Sequence, residues 1–289
     1  MPEFTRETEL GSVTINYIKR GKKGDAVFLI HGLGMGKDAW LFQIRPIVKA
    51  GFTVYAHDSR GFGKSTMTEF PDDEKKAFEF YSLKNDVADL AALMEHVGVK
   101  KGHLIGISMG GLIAQMFCVT HPDRVISATI ANSFSYPHGR ILYSTAAWEL
   151  AMEKMSFAEG FDILLPWVVG EKMLENPLFE TVYDQMKDMY VKANSNWCFI
   201  TKIRAIRART PETLQDRVKE IRVPILLIGG SDDILTPPKY QEYTKSLIPH
   251  AELVIIPDAG HASILDNPDA FNEAVITFLK KHAVNKKNE

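Results

Sequence analysis

The run Gly106-Ile107-Ser108-Met109-Gly110 follows the apolar stretch His103-Leu104-Ile105 and opens a segment with helical character. This context predicts a nucleophile elbow, a sharp strand-to-helix turn with a serine at its tip. Glycines are required at its flanks because side chains there would strike the neighbouring strand or helix. Backbone N–H groups and the helix dipole at such a turn favour negative charge developing beside the serine oxygen. A serine hydroxyl is a weak nucleophile at neutral pH. It needs a base, usually His, and the base needs an acid that fixes its tautomer. On an α/β sheet these follow in the order Ser, Asp or Glu, His, each past the C-terminal end of a strand. Two downstream loops supply them, Gly229-Gly230-Ser231-Asp232-Asp233-Ile234-Leu235-Thr236-Pro237-Pro238 and Pro257-Asp258-Ala259-Gly260-His261-Ala262. The base is His261. Asp232 and Asp233 are adjacent, and the local pattern does not choose between them.

The elements that must position these groups read as alternating strands and helices. Residues 3–20 alternate and carry Gly11, which predicts a leading β-hairpin. Short apolar runs at 26–30, 52–56, 103–107, 125–131, 225–228 and 252–256 fit strands buried on both faces of a parallel sheet. Helices are predicted at 39–49, at 82–97 with Ser82 as cap and Gly98 as stop, after the elbow, and from the cap Asn267 onward with Pro268 in the first turn. The fold class is therefore α/β, a mostly parallel doubly wound sheet with right-handed crossovers. Residues 134–210 break the alternation with helical segments at 141–155 and 178–208, rich in Trp, Tyr, Met and Phe. They read as an inserted helical cap on a core of residues 1–133 and 211–289. The most apolar part, Phe161 to Val169, reads as packing within the cap, with a ceiling over a substrate pocket as the functional alternative.

Composition narrows the class. The chain has 289 residues and a net charge of −2, without the basic footprint that nucleic acid or an anionic membrane surface requires. Its two cysteines, Cys118 and Cys198, form neither a disulfide framework nor a C-x-x-C site. No apolar run approaches the ~18 residues of a membrane span, and the charged start MPEFTRETEL has no signal-peptide core. The expected compartment is the cytoplasm. No His, Cys or carboxylate grouping has metal spacing, and the G-x-G fragments lack the context of a dinucleotide site, so no cofactor is expected.

Taken together, HGLG at 31–34, DSRGFGKS at 58–65, GISMGG at 106–111, GGSDDILTPP at 229–238 and DAGHASILDNPDAF at 258–271 resemble the α/β-hydrolase superfamily over nearly the whole chain. SMGG, HPDRV at 121–125, TPP and GHAS are most similar to its 3-oxoadipate enol-lactonase-like and carboxylesterase branch. One position departs. Enol-lactonases often carry another residue where His31 stands, which leaves the substrate open. The resemblance selects Asp233 as the acid, because the family pattern places it four positions before a proline, here Pro237. It implies a triad of Ser108, Asp233 and His261 and an oxyanion hole made by the backbone N–H groups of Met109 and Leu33. The expected activity is hydrolysis of a small carboxylic ester or lactone. Alternatives with the same triad are a C–C bond hydrolase, a thioesterase, or a ligand sensor that turns over slowly; a perhydrolase side activity also stays open. Dehalogenase and epoxide hydrolase chemistry would want a carboxylate where Ser108 stands. His31 is read as an orienting loop residue, and Arg60 as a tie between loops. His57, His96, His103, His121, His138, His250 and His282 are read as structural or surface groups, and Trp40, Trp148, Trp167 and Trp197 as core. Arg204, Arg207 and Arg209 read as a solvated helix face, with a substrate carboxylate as the alternative partner.

Overall fold

The structure is a computed structural model that describes residues 2–136, 138–207, 214 and 216–284. Strands β1 (Glu3–Thr8) and β2 (Gly11–Arg20) form the leading hairpin, with Thr8 opposite Gly11 and Glu9-Leu10 as its turn. The apolar runs become β3 (Ala26–Ile30), β4 (Thr53–His57), β5 (Gly102–Ile107), β6 (Val125–Ala131), β7 (Ile225–Gly230) and β8 (Glu252–Ile256). The eight strands lie in the order β1-β2-β4-β3-β5-β6-β7-β8. β2 runs antiparallel to β4, and all pairings among β3 to β8 are parallel.

Alternate residues of β3 point to opposite faces, and each face is covered by helices. Val27 and Leu29 join Trp40, Ile47, Phe271, Val275 and Phe278, from the chain around α1 (Leu41–Lys49) and from the helix Pro268–Lys281. Phe28 and Ile30 join Phe80 of α2 (Glu74–Phe80), Leu90 and Leu93 of α3 (Leu83–His96), and Leu112 and Phe117 of α4 (Met109–Thr120). Burial on both faces is why the strand sequences are continuously apolar. The exception is β8, whose residues are mostly half-exposed or exposed because it ends the sheet. Asn267 caps the last helix by accepting from the Ala270 N–H, whereas Ser82 occupies the cap position of α3 without a side-chain hydrogen bond.

Between β6 and β7 run α5 (Gly139–Lys154), α6 (Phe157–Val168), α7 (Glu171–Leu174), α8 (Phe179–Lys192) and α9 (Asn196–Arg207). The single helix expected over 178–208 is two. Its break has a tertiary cause: the Ala193 carbonyl accepts from the Gly63 N–H at 2.7 Å, and Asn194 Nδ2 donates to the Gly34 carbonyl at 2.8 Å. Residue 208 and the position of Arg209 lie outside the described residues. Arg204 and Arg207 do not form a bare solvated face. Arg204 pairs with Glu74 of α2 and with Glu149 and Glu153 of α5, and Arg207 pairs with Glu149. Their charge is met by three carboxylates of the chain itself, which clamps α9 to its neighbours.

A second clamp is buried. Lys202 of α9 places Nζ 2.6 Å from Asp86 Oδ2 of α3, both inaccessible to solvent. Removing one partner of such a pair leaves an uncompensated charge in the interior. Asp86→Ala is expected to lose ~3–5 kcal/mol of stability in urea unfolding. The double variant Asp86→Ala/Lys202→Met is expected to recover most of that loss.

Candidate active site

The elbow forms because β5 turns directly into α4. Ser108 at the junction has φ 54° and ψ −117°, a strained backbone for a residue with a side chain. Two flanking glycines permit the turn. A Cβ on Gly106 would lie 2.1 Å from the Gly110 carbonyl oxygen, and one on Gly110 would lie 2.0 Å from that of Ile30. The elbow is thus wedged against itself and against β3, and the motif spacing follows from these contacts. Ser108 stays half-buried, and its backbone is held by its own N–H to Ala131 and by Ser133 Oγ donating to its carbonyl at 2.8 Å.

The loops after β7 and β8 bring the other groups to the same sheet edge. His261 Nε2 lies 2.9 Å from Ser108 Oγ, and His261 Nδ1 lies 3.0 Å from Asp233 Oδ2. Asp233 is buried and heavily solvated by the protein. Its Oδ1 accepts from the Leu235 and Thr236 N–H groups at 2.9 and 2.7 Å. Its Oδ2 accepts from Thr236 Oγ1 at 2.6 Å and Asn132 Nδ2 at 2.9 Å. Burial alone would raise its pKa; the charge and hydrogen bond of His261, with Asn132 and Thr236, bring it down to about 2. An ionised Asp233 accepts the proton on Nδ1, so Nε2 presents its lone pair to the serine hydroxyl. Asp232 is exposed; its Oδ1 accepts from Ser231 Oγ and its N–H donates to the Ala259 carbonyl. The adjacent acids are therefore told apart by burial.

The opposite wall is the loop after β3. Gly32 faces the serine: a Cβ there would lie 3.4 Å from Ser108 Cβ. Leu33 follows it. Met109 is the first residue of α4, so its N–H has no carbonyl one turn earlier in the helix. His31 fixes the loop by donating from Nδ1 to the Gly32 carbonyl at 2.7 Å and accepting from the Ser59 N–H at Nε2, at 2.9 Å. Burial lowers its pKa and keeps it neutral, as those two bonds require. Just beyond, Lys37 Nζ donates to Asp58 Oδ2 at 2.6 Å, and the Lys37 and Lys64 N–H groups donate to the same carboxylate. Burial pushes Asp58 up, but these bonds hold it below its ordinary range. Arg60, expected to tie loops together, instead ties its loop to two helices, with a two-pronged contact to Asp89 of α3 and a bond to the Phe80 carbonyl at the end of α2.

The remaining histidines stand elsewhere. His57 and His103 are buried, and burial lowers both, to about 3 and about 4. His96 stacks on Phe4 and His138 on Tyr240. Trp40 and Trp148 are core, whereas Trp167 and Trp197 are half-buried. The groove lined by Glu74, Lys75, Phe78, Arg204 and Arg207 includes none of the residues around Ser108. Among the described residues, no three His, Cys, Asp or Glu side chains are grouped to hold a metal ion, and no helix is long and apolar enough to cross a membrane.

Three supporting residues escape sequence reasoning. Asn132, at φ 44°, donates to both Asp233 and the Gly260 carbonyl, and its Oδ1 accepts from Ser263 Oγ at 2.5 Å. Its one signal is its place just past β6, at the sheet edge where the other groups gather. Thr236 stands inside a quoted motif, yet nothing local shows that its hydroxyl lies 3.0 Å from His261 Nδ1. Ser263 likewise stands inside a quoted motif, with nothing local to show that its hydroxyl reaches Asn132.

An elbow serine, a bridging histidine and a buried acid on a doubly wound sheet define a hydrolase architecture. The profile of the alpha/beta hydrolase family matches residues 27–274, and the chain belongs to that family. A Mycobacterium tuberculosis protein bearing the name non-heme bromoperoxidase BpoC is 28% identical over 263 residues, covering 89% of this chain and 94% of its own. The 2-hydroxy-6-oxononadienedioate/2-hydroxy-6-oxononatrienedioate hydrolase of Comamonas testosteroni is 26% identical over 310 residues, covering 96% of this chain and 99% of its own. Among solved structures, the enol-lactonase of Burkholderia xenovorans LB400 superposes with a TM-score of 0.81 at 23% identity, covering 93% of this chain and 97% of the other.

The depressed pKa of Asp233 has a consequence for stability. A carboxylate held near 2 when folded and near ~3.9 when unfolded stabilises the fold above the unfolded value, and that contribution fades as pH falls through the folded one. The stability gap between wild type and Asp233→Asn is expected to narrow by about 2 kcal/mol between pH 5 and pH 2. Chemical denaturation across that range reads it.

Proposed function

We propose that this chain is a cofactor-independent serine hydrolase that cleaves a small carboxylic ester or lactone through an acyl-enzyme. The observation that carries the reading is His261 hydrogen-bonded to Ser108 Oγ on one side and to the buried Asp233 on the other. Ser108 attacks the carbonyl carbon as its proton passes to His261 Nε2. The tetrahedral oxyanion is held by the N–H groups of Met109 and Leu33, donors fixed before charge develops. Asp233 stabilises the imidazolium, which then gives its proton to the leaving alcohol. Water, deprotonated by the same nitrogen, attacks the acyl-enzyme and frees Ser108. The region 134–210 acts as a cap that sets substrate size and polarity.

Similarity to the Comamonas testosteroni hydrolase over almost the full chain favours one rival, cleavage of a C–C bond beside a carbonyl by the same residues. A panel of p-nitrophenyl esters, enol-lactones and vinylogous diketones separates the two. Preference for the diketones would replace the ester reading.

A fluorophosphonate probe is expected to label the wild type and not Ser108→Ala. Labelling that survives the substitution overturns the assignment. Asp233→Asn is expected to lower kcat by about 10⁴-fold through the wrong histidine tautomer, measured on p-nitrophenyl acetate.

A further inference from the structure

The loop that carries His261 and the short helix Ser263–Asp266 after it are joined to the end of α6 and the start of α7 by a seam of three polar links. The Ala262 N–H donates to the Val168 carbonyl at 2.8 Å. The Gly170 N–H donates to Asp266 Oδ2 at 3.1 Å. Lys172 Nζ pairs with Asp258 Oδ2 at 2.7 Å on the surface. The two backbones approach so closely that neither accepts a side chain at the crossing. A Cβ on Gly170 would lie 2.7 Å from Gly260 N, and one on Gly260 would lie 2.7 Å from Gly170 N.

Asp266 sits at the centre of this seam. The same oxygen that takes the Gly170 N–H also takes the Gly260 N–H at 2.8 Å, and Gly260 precedes His261. Its other oxygen, Oδ1, is buried and has no hydrogen-bond partner among the described residues. The other side of Gly260 is held as well, since Asn132 Nδ2 donates to its carbonyl at 3.1 Å. The backbone leading into the imidazole is therefore pinned by two side chains, one of them on the triad acid.

We propose that Asp266 is a positioning residue for His261, one that locks the histidine loop and residues 168–170 into a single unit. The proposal rests on the hydrolase reading for its catalytic meaning and on the geometry for the link itself. A purely structural acceptor would be served better by a neutral group. Burial pushes the Asp266 carboxyl up to about 6 against the pull of the Gly260 and Gly170 N–H groups; of the charges that face it, His261 lowers it and Asp233 raises it. The folded state thus holds this proton more tightly than the unfolded chain. The fold gains stability as pH falls from about 6 toward the unfolded value, and the ionised carboxylate weighs against it at neutral pH. The anion is retained where it shares two N–H groups and faces the imidazole that must become positive.

Asp266→Asn tests this with little change of shape. At pH 8 the variant is expected to melt no lower than wild type, because a buried charge has gone. Its kcat on p-nitrophenyl acetate is expected to fall about ten- to a hundredfold, as for a misplaced catalytic group. The low-field proton NMR signal of His261 Nδ1–H reads the loop without turnover. In wild type the pH dependence of this signal is expected to carry an inflection near 6 from the Asp266 carboxyl; Asp266→Asn is expected to lose that inflection and to shift the signal. Gly170→Ala, which forces the seam apart from the other side, is expected to shift the same signal. A His261 signal whose position and pH dependence match wild type in both variants overturns the proposal. A wild type that hydrolyses no ester faults the hydrolase reading instead, and the His261 signal still decides the role of Asp266.

Discussion

A carboxylate removed from water must be re-solvated by the protein or it takes up a proton. Asp233 meets that constraint with two backbone N–H groups, a threonine hydroxyl, an asparagine amide and the imidazole. Much of the local geometry follows. The chain after β7 must curl so that Leu235 and Thr236 present their N–H groups to Oδ1. The chain after β6 must carry an amide to Oδ2, and Asn132 does so from a left-handed backbone, which asparagine tolerates better than most residues. Once the anion is secured, the proton on His261 has one place to be, and the lone pair facing Ser108 is a consequence of it.

The other fixed quantity is backbone proximity. The elbow lies against β3 at a distance that only glycine at 110 allows, and the loop after β3 returns to face Ser108. No flexible side chain is asked to find this arrangement. The loops that frame it are braced by buried polar contacts instead, His31 to Ser59 and Lys37 to Asp58. A neutral histidine and a paired lysine fill those positions without adding net charge beside the serine.

Much of this was legible in the residues. The five central strands and their carboxyl-end loops follow from short apolar runs, because burial on both faces removes alternation. Ser108 and His261 follow from glycine spacing and from loops placed past strands. Asp233 was separable from Asp232 only through a family pattern, since the difference is burial, a property of the folded loop. The same limit hides Asn132, Thr236, Ser263 and Asp266. Their roles depend on partners 101, 25, 131 and 96 residues distant. A single polar residue near a strand end carries no mark of which distant group it will meet. The paired state of Arg204 escaped for the same reason: Glu74 lies 130 residues away.

The helices between β6 and β7 are tied to the rest by links that end on chemistry-bearing loops. Asn194 holds the Gly34 carbonyl, one residue past Leu33; Ala193 holds Gly63, in the loop with Asp58; Val168 and Gly170 hold Ala262 and Asp266, just after His261. Elsewhere the attachment is by ion pairs, Lys202 to Asp86 and Arg204 to Glu74. Such links are directional, so they register the inserted helices on the sheet edge more narrowly than apolar packing would. A substitution in these helices therefore does not act within them alone. It also bears on the loops that hold His261 and Leu33 beside Ser108.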